Sequence, residues 1–502
     1  MTNNDIRPSK PASPLARLTV GAEHDIVFTD LLANGQAVGR AGGLVVFCFG
    51  PLPHEKARVR ITSVKQKYSV AQMLQLISQS PQRAVPFCPV FGTCGGCQVQ
   101  HLSYDGQLTW KTGIVRSALE RIGGFRDAAV RGTVGTIHPR AYRNKMSLVV
   151  ESRGAEISIG FYKQRSHDIV AIDGCPIVAP QLDRYIGRLN AARKKPETAA
   201  AFLVARHIVS RSARATGEAV VTVTTAQLSR EVESSGTALL AQLPGAVGLT
   251  NSYELSGANA IVGRRHRLIF GRSEIEETVA GVRYRVSASS FFQVNVEILG
   301  RIFAFLRRGL DVARKVVDLY CGSGTFALFF ATLKCDVYGI EENPQAIDEA
   351  RDNAALNGLE DRVRFRAGRV EDIVRTAEGS AALKDAEIAF LDPPRKGCDE
   401  VTLQAIADAG TPYVWYLSCD PATLARDLKY LAANGYRLGV VQPFDMFPQT
   451  GHVETLVTLY RENRIPRESL RDAFLDAPEP AWPDDEFARD RREYPDFVIR
   501  ED

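Results

Sequence analysis

The stretch VVDLYCGSGTFAL at residues 316–328 decides the fold class of this sequence. It opens with an apolar run typical of a buried strand, turns at Gly322 and Gly324, and continues with the apolar pattern of a helix. A strand, a glycine turn and a helix in this order let a ligand approach the backbone at the carboxyl edge of a sheet. The stretch therefore predicts an α/β domain with a cofactor loop.

Strand and helix patterns keep alternating on both sides of this loop, over about residues 286–461. Helical patterns separate the strand-like runs KVVDLY, CDVYGIE, VRFRAG, IAFLDPP, YVWYLSC and ETLVTLYR. Such an order is typical of sheets with helices on both faces. We assign residues 286–461 to a doubly wound, Rossmann-like domain.

The cofactor loop alone leaves two cofactors open. Gly322 and Gly324, followed by Ala327, satisfy the dinucleotide fingerprint, and Glu341 lies where an acidic residue would hold ribose hydroxyls. NAD and S-adenosylmethionine therefore both fit this loop. Further along the chain, FLDPPRKG places Asp392 after a later strand, an arrangement that suits a site closing on a planar base.

Two residues are candidates for the chemistry. Cys419 in YVWYLSCDPATL ends an apolar strand just before a helix, where the helix dipole is expected to lower the pKa of its thiol. Glu454 lies between turn residues and the final strand, where a carboxylate can act as a base. The simpler interpretations are a buried packing cysteine and a salt-bridged surface glutamate.

A cysteine cluster precedes these elements. Cys88, Cys94 and Cys97 lie within CPVFGTCGGC, whose glycines permit the tight turns needed to gather three sulfurs. Cys175 in DGCPI is the best candidate for a fourth ligand, because a Cys-Pro dipeptide in a turn recurs among cluster ligands. Four thiolates fit either a [4Fe–4S] cluster or structural zinc, and the spacing does not separate the two.

Two more domains are expected before the α/β domain. Residues 16–81 show short β-like runs broken by Gly, Pro and Asn, typical of a small OB-like β-barrel. A period of two places Lys56, Arg58 and Arg60 on one strand face, which suits phosphates or is simply a solvated face. For residues 82–285 we predict an α+β middle domain. It begins with an amphipathic helix near 103–125, which we expect to pack on the α/β domain.

Composition excludes several classes of protein. The 502 residues are 45% hydrophobic and 24% charged, typical of a folded globular chain. No apolar run approaches the ~20 residues that span a bilayer, so we expect a cytoplasmic protein with no membrane partner. Residues 1–15 are expected to be a flexible leader. Residues 462–502 are expected to be an acidic, Pro-containing tail with a net charge of −6, against +10 for the rest.

Six motifs together resemble the bacterial RNA 5-methyluridine methyltransferases that use S-adenosylmethionine: CPVFGTCGGC, SFFQVN, DLYCGSGTFAL, FLDPPRKG, YLSCDP and FDMFPQTGHVET. The resemblance covers about Leu18 to Arg461, and residues 18–80 look like the TRAM domain of RNA-modifying enzymes. Members with both a TRAM domain and the cysteine cluster mostly resemble enzymes of large-subunit ribosomal RNA. The resemblance therefore implies RNA as partner, with 23S ribosomal RNA favoured and transfer RNA as the alternative, and implies no obligate protein partner.

The resemblance also implies a role for each site residue. Cys419 is the nucleophile that adds to uracil C6, and Glu454 is the base that removes the C5 proton. The implied cofactor contacts are Gln293, Tyr320, Gly322, Gly324, Thr325, Glu341 and Asp392. The implied metal ligands are Cys88, Cys94, Cys97 and Cys175, which favours a [4Fe–4S] cluster over zinc. Two positions depart from the family pattern. Thr325 stands where Asn is frequent. Arg369 stands where the family is expected to have a polar residue that contacts the cofactor, so we assign no role to Arg369.

Two rival functions belong to other classes. An NAD-dependent oxidoreductase would explain the glycine loop and Glu341, but it would leave the barrel and YLSCDP unexplained. A non-catalytic RNA-binding protein would retain an inactive methyltransferase domain, and the complete set of motifs argues against it.

Overall fold

The computed structural model describes residues 18–154, 156–257, 260–309 and 313–461. The expected leader at 1–15 and the acidic tail at 462–502 lie outside the described residues. The chain divides into two compact units. The first comprises Met1–Pro86 with Gln98–Ser103, and the second comprises Phe87–Cys97 with Tyr104–Asp502.

The first unit is a closed five-stranded barrel with the strand order β1-β2-β3-β5-β4. The strands are β1 (Glu23–Leu31), β2 (Gln36–Ala41), β3 (Leu44–Phe49), β4 (Lys56–Val64) and β5 (Tyr68–Ser78). On β4 the residues Ala57, Val59 and Ile61 point into the barrel, while Arg58 and Arg60 alternate with them and face solvent. The predicted barrel is confirmed.

The outer face of β4 agrees better with the second interpretation of its sequence, a solvated face, than with an open phosphate-binding surface. Strands β1 and β4 pair so that Asp25 lies opposite Arg58 and Glu23 lies opposite Arg60. Each pair forms an exposed ion pair at 2.8 Å. Strand periodicity reveals which residues share a face, but not which residues of the neighbouring strand stand beside them. The acidic partners from β1 therefore neutralise much of this face.

A helix and a mixed sheet open the second unit. Helix α1 (Tyr104–Ala118) continues as one π-helical turn and ends at Gly124, whose φ of 79° suits a glycine cap. The seven-stranded sheet that follows has the order β12-β11-β10-β9-β6-β7-β8. Its strands are β6 (Lys145–Arg153), β7 (Glu156–Tyr162), β8 (Ile169–Ala171), β9 (His207–Ser212), β10 (Ala219–Thr224), β11 (Ala246–Tyr253) and β12 (Arg265–Gly271). Its helices are α2 (Pro180–Ala192), α3 (Pro196–Val204) and α4 (Arg230–Leu240).

The hairpin β13 (Glu274–Val279) and β14 (Val282–Ser287) and helix α5 (Val296–Arg308) lead into a second seven-stranded sheet. Its order is β17-β16-β15-β18-β19-β21-β20. The strands are β15 (Lys315–Leu319), β16 (Asp336–Glu341), β17 (Val363–Ala367), β18 (Ile388–Leu391), β19 (Tyr413–Ser418), β20 (Tyr436–Phe444) and β21 (Glu454–Arg461). The helices are α6 (Thr325–Thr332), α7 (Pro344–Asn357), α8 (Val370–Ile373), α9 (Ala377–Asp385), α10 (Glu400–Ala409) and α11 (Pro421–Ala433).

This sheet is the predicted doubly wound domain. Strands β15 to β19 are parallel, and β21 inserts antiparallel between β19 and β20. The chain leaves β15 first toward β16 and later returns to its other side at β18, so a crevice opens at the carboxyl edge of β15. Val115 of α1 packs in the same apolar cluster as Leu424 and Leu428 of α11. In the part of the chain that the structure describes, no helix is long and apolar enough to cross a membrane.

Candidate active site

The cofactor loop leaves β15 through a strained turn. Tyr320 has a φ of 72° although it is not a glycine, and Gly322 and Gly324 have φ values of 54° and 85°. A Cβ on Gly322 would meet nothing within 4 Å, so its backbone borders open space. The Gly322 N–H donates to Oε2 of Glu341 at 3.2 Å, which joins the ends of β15 and β16. Thr325 begins α6 and is buried.

Sequence reasoning missed an acidic residue beneath this loop, Asp318. Its side chain is 1% exposed, and neither carboxylate oxygen has a hydrogen-bond partner within 3.5 Å among the described residues. Burial and the charges of Asp392 and Glu341 raise its pKa, while the nearby Ala327 N–H opposes them. An acidic residue inside an otherwise apolar strand was the available clue. A buried carboxylate without hydrogen-bond partners at this place is suited to bind a cationic ligand group, such as an ammonium or a sulfonium.

The candidate nucleophile and base face each other. In the antiparallel pairing of β19 with β21, Ser418 lies opposite Thr455, so the next residues outward are Cys419 and Glu454. Cys419 is partly exposed, whereas Glu454 is buried and its Oε2 has no hydrogen-bond partner among the described residues. Burial and the charge of Asp392 raise the pKa of Glu454. Burial also raises the pKa of Asp392, which follows β18.

The expected lowering of the Cys419 pKa is wrong for this state of the site. Burial, together with Glu454 and Asp392, raises the pKa of the thiol to about 12. The helix dipole does not act on the thiol as expected, because the Asp420 carboxylate caps α11 and accepts from the N–H groups of Ala422 and Thr423. The thiol in this structure is therefore protonated and surrounded by carboxyl groups.

Arg395 is a cation that opposes this acidic surrounding, and it was not among the predicted site residues. Its charge lowers the pKa values of both Cys419 and Glu454. Its Nη2 lies 3.0 Å from Nε2 of His452. Burial and Arg395 lower the pKa of His452 to about 4, so the imidazole is neutral at pH 7. Both residues belong to motifs quoted above, FLDPPRKG and FDMFPQTGHVET, but their meeting depends on the fold.

The loop before Glu454 is fixed by helix α1. Lys111 is fully buried, forms an ion pair with Asp445 and also donates to the Phe447 carbonyl at 3.0 Å. Gln107 lies one helical turn earlier, accepts from the Gln449 N–H at 2.9 Å and donates to the Gln449 side chain at 3.0 Å. These contacts hold residues 445–449, which we call the base loop, against the helix.

The SFFQVN segment separates its two phenylalanines. Phe292 is buried against Tyr284, with ring centroids 5.3 Å apart, as expected for core packing. Phe291 is instead 73% exposed. Gln293 is buried, and its carbonyl accepts from the Asn144 side chain at 3.1 Å, which anchors this segment to the start of β6.

The four predicted cysteine ligands all belong to the second unit, and some of them are near one another. Cys88 and Cys94 are near enough to Cys175 to raise its pKa, although burial is the larger cause. The Tyr142 phenol lies near both Cys97 and Cys175. However, no three His, Cys, Asp or Glu side chains of the described residues form a group that could hold a metal ion. The donor chemistry suits a metal, but the arrangement lends the iron–sulfur prediction no support.

The structure thus brings the predicted cofactor and catalytic residues to one edge of the sheet. Tyr320, Gly322, Gly324 and Thr325 follow β15, Glu341 ends β16, Asp392 follows β18, Cys419 follows β19 and Glu454 begins β21. Arg369, left without a role, is exposed and pairs with Glu371. A deep glycine loop, buried carboxyl groups and a thiol facing a carboxylate form a site able to bind a cationic cofactor and perform covalent catalysis.

Comparisons with known proteins agree with this geometry. The family model described as tRNA (Uracil-5-)-methyltransferase matches residues 139–462, and the TRAM domain model matches residues 17–74. An RNA methyltransferase of Bacillus cereus is 35% identical over 451 residues, covering 87% of this chain and 96% of its own. One of Gloeobacter violaceus is 37% identical over 472 residues, covering 91% and 99%. The solved tRNA (uracil-54, C5)-methyltransferase of Pyrococcus abyssi, in complex with S-adenosyl-L-homocysteine, is 26% identical with a TM-score of 0.68, covering 87% and 100%.

Proposed function

Because this chain belongs to the tRNA (uracil-5-)-methyltransferase family and is an S-adenosylmethionine-dependent RNA methyltransferase, we propose that it methylates C5 of a uridine in 23S ribosomal RNA through a covalent adduct with Cys419. The observation that carries the mechanism is the meeting of Cys419 and Glu454 at the facing ends of β19 and β21. A thiol on one strand and a buried carboxyl group on the next supply the nucleophile and the base that one reaction centre requires.

The choice of ribosomal RNA rests on two features of the chain. It carries a TRAM domain and also the four-cysteine motif, and the family resemblance associates this combination with enzymes of large-subunit ribosomal RNA. Transfer RNA is the second candidate, favoured by the likeness to the Pyrococcus abyssi enzyme, whose name specifies a transfer RNA substrate. In either RNA the target base must leave its stack to enter the crevice, at a cost of a few kcal/mol.

The proposed cofactor contacts are the residues of the carboxyl edge. Gln293, Tyr320, Gly322, Gly324 and Thr325 would surround the cofactor, with Glu341 toward its ribose and Asp392 toward its reacting end. Asp318 would offset the positive charge of the methionine portion, since neither of its buried oxygens has a hydrogen-bond partner among the described residues. S-adenosylmethionine, when bound, supplies an electrophilic methyl group.

The protein residues would act in a fixed order. The thiol proton of Cys419 passes to solvent, the sulfur adds to C6, and the C5=C6 electron pair moves to C5, which would then accept the methyl group as the sulfonium becomes a neutral thioether. Glu454 removes the C5 proton, the double bond re-forms, and the C6–S bond breaks to release Cys419. The high pKa of Glu454 suits it to this role, because a carboxylate with a raised pKa is a stronger base once ionised.

The test of the reaction and substrate is mass-spectrometric mapping of 5-methyluridine in ribosomal and transfer RNA from cells with and without the gene. Loss at one or two ribosomal uridines would support the proposal. Loss only in transfer RNA would transfer the same chemistry to the second candidate. An unchanged map, also in a strain without related methyltransferases, would contradict both.

The test of the adduct is Glu454→Gln. Removal of the base should slow the loss of the C5 proton and trap the methylated enzyme–RNA adduct, which denaturing gels would show as a shifted band. Glu378→Gln, on the exposed surface of α9, is the matched control and should form no lasting adduct. Rapid turnover of Glu454→Gln without an adduct would remove Glu454 as the base.

We further propose that Cys88, Cys94, Cys97 and Cys175 hold a [4Fe–4S] cluster. The proposal is supported by their number, by the thiolate chemistry that such clusters require, and by the family resemblance. Anaerobic purification should then give a coloured protein with bound iron. A colourless protein with stoichiometric zinc would overturn it.

A further inference from the structure

Three basic side chains gather beside the active site and take no part in the proposed chemistry. We call Arg143, Lys145 and Arg211 the cationic strip. Lys145 and Arg211 are direct cross-strand partners on β6 and β9. Arg143 lies two residues before Lys145, and its Nε donates to the Lys145 carbonyl at 3.0 Å. The strip is therefore built on the backbone of the middle sheet rather than on mobile loops.

The strip has more hydrogen-bond donors than the protein uses. Arg211 is only 1% exposed, and its Nη2 donates to the Ser290 carbonyl at 2.8 Å. Its Nε and Nη1 are buried and have no partner among the described residues. Lys145 donates to the same Ser290 carbonyl at 3.2 Å. A buried donor without an acceptor destabilises the folded chain, because the donor has lost its hydrogen bonds to water.

Two nearby carboxyl groups, Glu277 and Glu349, offset only part of this charge. Glu277 lies near Arg211, but its oxygens already accept from the N–H groups of Arg214, Ala215 and Thr278. Glu349 of α7 is the other, and burial with the charge of Glu274 raises its pKa to about 7. Burial and the charges of Arg211 and Arg143 lower the pKa of Lys145 to about 7, although Glu349 opposes them.

The strip borders the crevice in which the substrate must lie. The segment that carries it touches the base loop at one end, where the Tyr142 hydroxyl donates to the Pro448 carbonyl at 3.2 Å. In the middle, the Asn144 side chain donates to the Gln293 carbonyl. At the other end, Lys145 and Arg211 hold Ser290, the residue before the exposed Phe291. Arg143 is also close enough to lower the pKa of His452.

We propose that the cationic strip is a phosphate subsite, which binds a backbone phosphate of the RNA strand next to the target uridine. The proposal rests on the proposed function, since it assumes an RNA substrate in this crevice. Phosphate oxygens can reach the partly exposed Arg143 and Lys145, whose positive charge the buried Arg211 reinforces, and charge-assisted bonds from arginine to phosphate are among the strong ones. The strip runs along the crevice wall, as a polynucleotide backbone would, and its charge exceeds that of one cofactor carboxylate.

The experiment measures the salt dependence of RNA binding by the full-length chain. Fluorescence anisotropy with a labelled single-stranded oligouridylate gives the dissociation constant over a range of KCl concentrations. Loss of one phosphate contact lowers the slope of log K against log salt by about 0.7 for single strands. At pH 6, where Lys145 with its pKa of about 7 is mostly charged, we expect this decrease for Lys145→Gln and for Arg143→Gln, and a smaller one for Arg211→Met, whose charge is buried. Binding of S-adenosylmethionine, measured by calorimetry, should not change.

The matched control is Arg153→Gln at the far end of β6, where Arg153 is exposed and paired with Glu151. It should leave the slope unchanged. Because Arg211→Met replaces a buried residue, the partly exposed Lys145 and Arg143 keep the test decisive if that variant does not fold.

Each other outcome contradicts the phosphate subsite, the proposed function or both. Unchanged slopes for Lys145→Gln and Arg143→Gln would make the strip purely structural. An unchanged slope with at least tenfold weaker cofactor binding would assign it to the cofactor carboxylate. A parent chain that binds no RNA would overturn the subsite and the proposed function together. Expected slopes with no 5-methyluridine formed would overturn the function alone.

Discussion

The outer face of barrel strand β4 and the active-site crevice of the second unit both collect charged side chains, but they balance them differently. On β4, Arg58 and Arg60 each stand opposite a carboxylate of β1 and remain exposed to solvent. In the crevice, Glu454 and Arg211 are buried and keep polar atoms without partners among the described residues. Charge that is balanced locally needs no ligand, whereas unbalanced buried charge with displaced pKa values is typical of functional sites.

Cys419→Ala is expected to have the largest effect on the crevice. Without the thiol, C6 has no nucleophile, so turnover should fall by roughly 10⁴-fold or more and no RNA adduct should form. Cofactor binding should persist, because the alanine keeps the backbone of the strand end. Methyl transfer from labelled S-adenosylmethionine to RNA is the measurement.

The barrel supplies the control for that experiment. Cys48→Ala, at a buried thiol of β3, should retain turnover. Residual methylation by Cys419→Ala at a rate near the parent rate would show that the thiol facing Glu454 is not the nucleophile.

Lys111→Met tests the buried ion pair that holds the base loop. Both side chains of the Lys111–Asp445 pair are 0% exposed, so removing the lysine leaves an uncompensated buried carboxylate. Breaking such a pair typically costs about 3–5 kcal/mol. Urea unfolding followed by the fluorescence of Trp110 and Trp415 should show a clearly lower midpoint.

An exposed pair of the same unit is the control for Lys111→Met. Lys315→Met removes the partner of Asp385 on the surface, where solvent screens the charges, and should leave the midpoint unchanged. Equal decreases in the midpoint for the two variants would mean that burial does not distinguish these pairs.

The pH dependence of stability should have opposite signs in the two regions. Burial raises the pKa of Glu454, so the folded crevice binds a proton that the unfolded chain releases above about pH 4–5. Its stability should therefore fall as the pH rises from about 5 toward neutral, by roughly 1.4 kcal/mol for each pH unit that separates the folded and unfolded pKa values. In the barrel, burial alone would raise the pKa of Glu55, but Arg83 and two backbone N–H groups lower it. The ionised Glu55 therefore stabilises the barrel at neutral pH, and this stabilisation is lost as the pH falls and the carboxylate is protonated.

Urea midpoints at pH 5 and at neutral pH, without ligands, measure both signs. Glu454→Gln should flatten the decrease toward neutral pH, and Glu55→Gln should reduce the loss in acid. A steeper profile for Glu454→Gln would contradict the raised pKa.

Periodicity was sufficient to predict much of the fold. Every strand-like run named in the α/β domain forms a strand, because apolar runs between helical patterns are strongly constrained by burial. Strand β20 and helices α5, α8 and α9 were not predicted. The β20 run contains Arg437, Gly439 and Pro443, which weaken a strand pattern, and its place at the edge beside β21 depends on tertiary pairing.

Only those residues of the candidate site that lie in recognisable sequence motifs could be predicted. Residues after strands were predictable, because the carboxyl ends of neighbouring strands must meet at one edge. Asp318, Arg395 and the cationic strip could not be predicted. Their importance depends on which hydrogen-bond partners they lack and on charges from distant parts of the chain, and a sequence shows neither. The pKa of Cys419 was mispredicted for the same reason, because the carboxyl groups that raise it belong to different elements of the sheet.

Arg58→Gln should have the smallest effect, and it sharpens the comparison most directly. If Asp25 already neutralises Arg58, removing the charge should change the salt dependence of RNA binding less than Lys145→Gln does, although Arg58 is far more exposed. The same anisotropy titration measures both variants. Asp25→Asn is the complementary change, since it releases the arginine charge and should steepen the slope. A larger decrease for Arg58→Gln than for Lys145→Gln would return the principal phosphate contact to the barrel and leave the buried strip with a structural role.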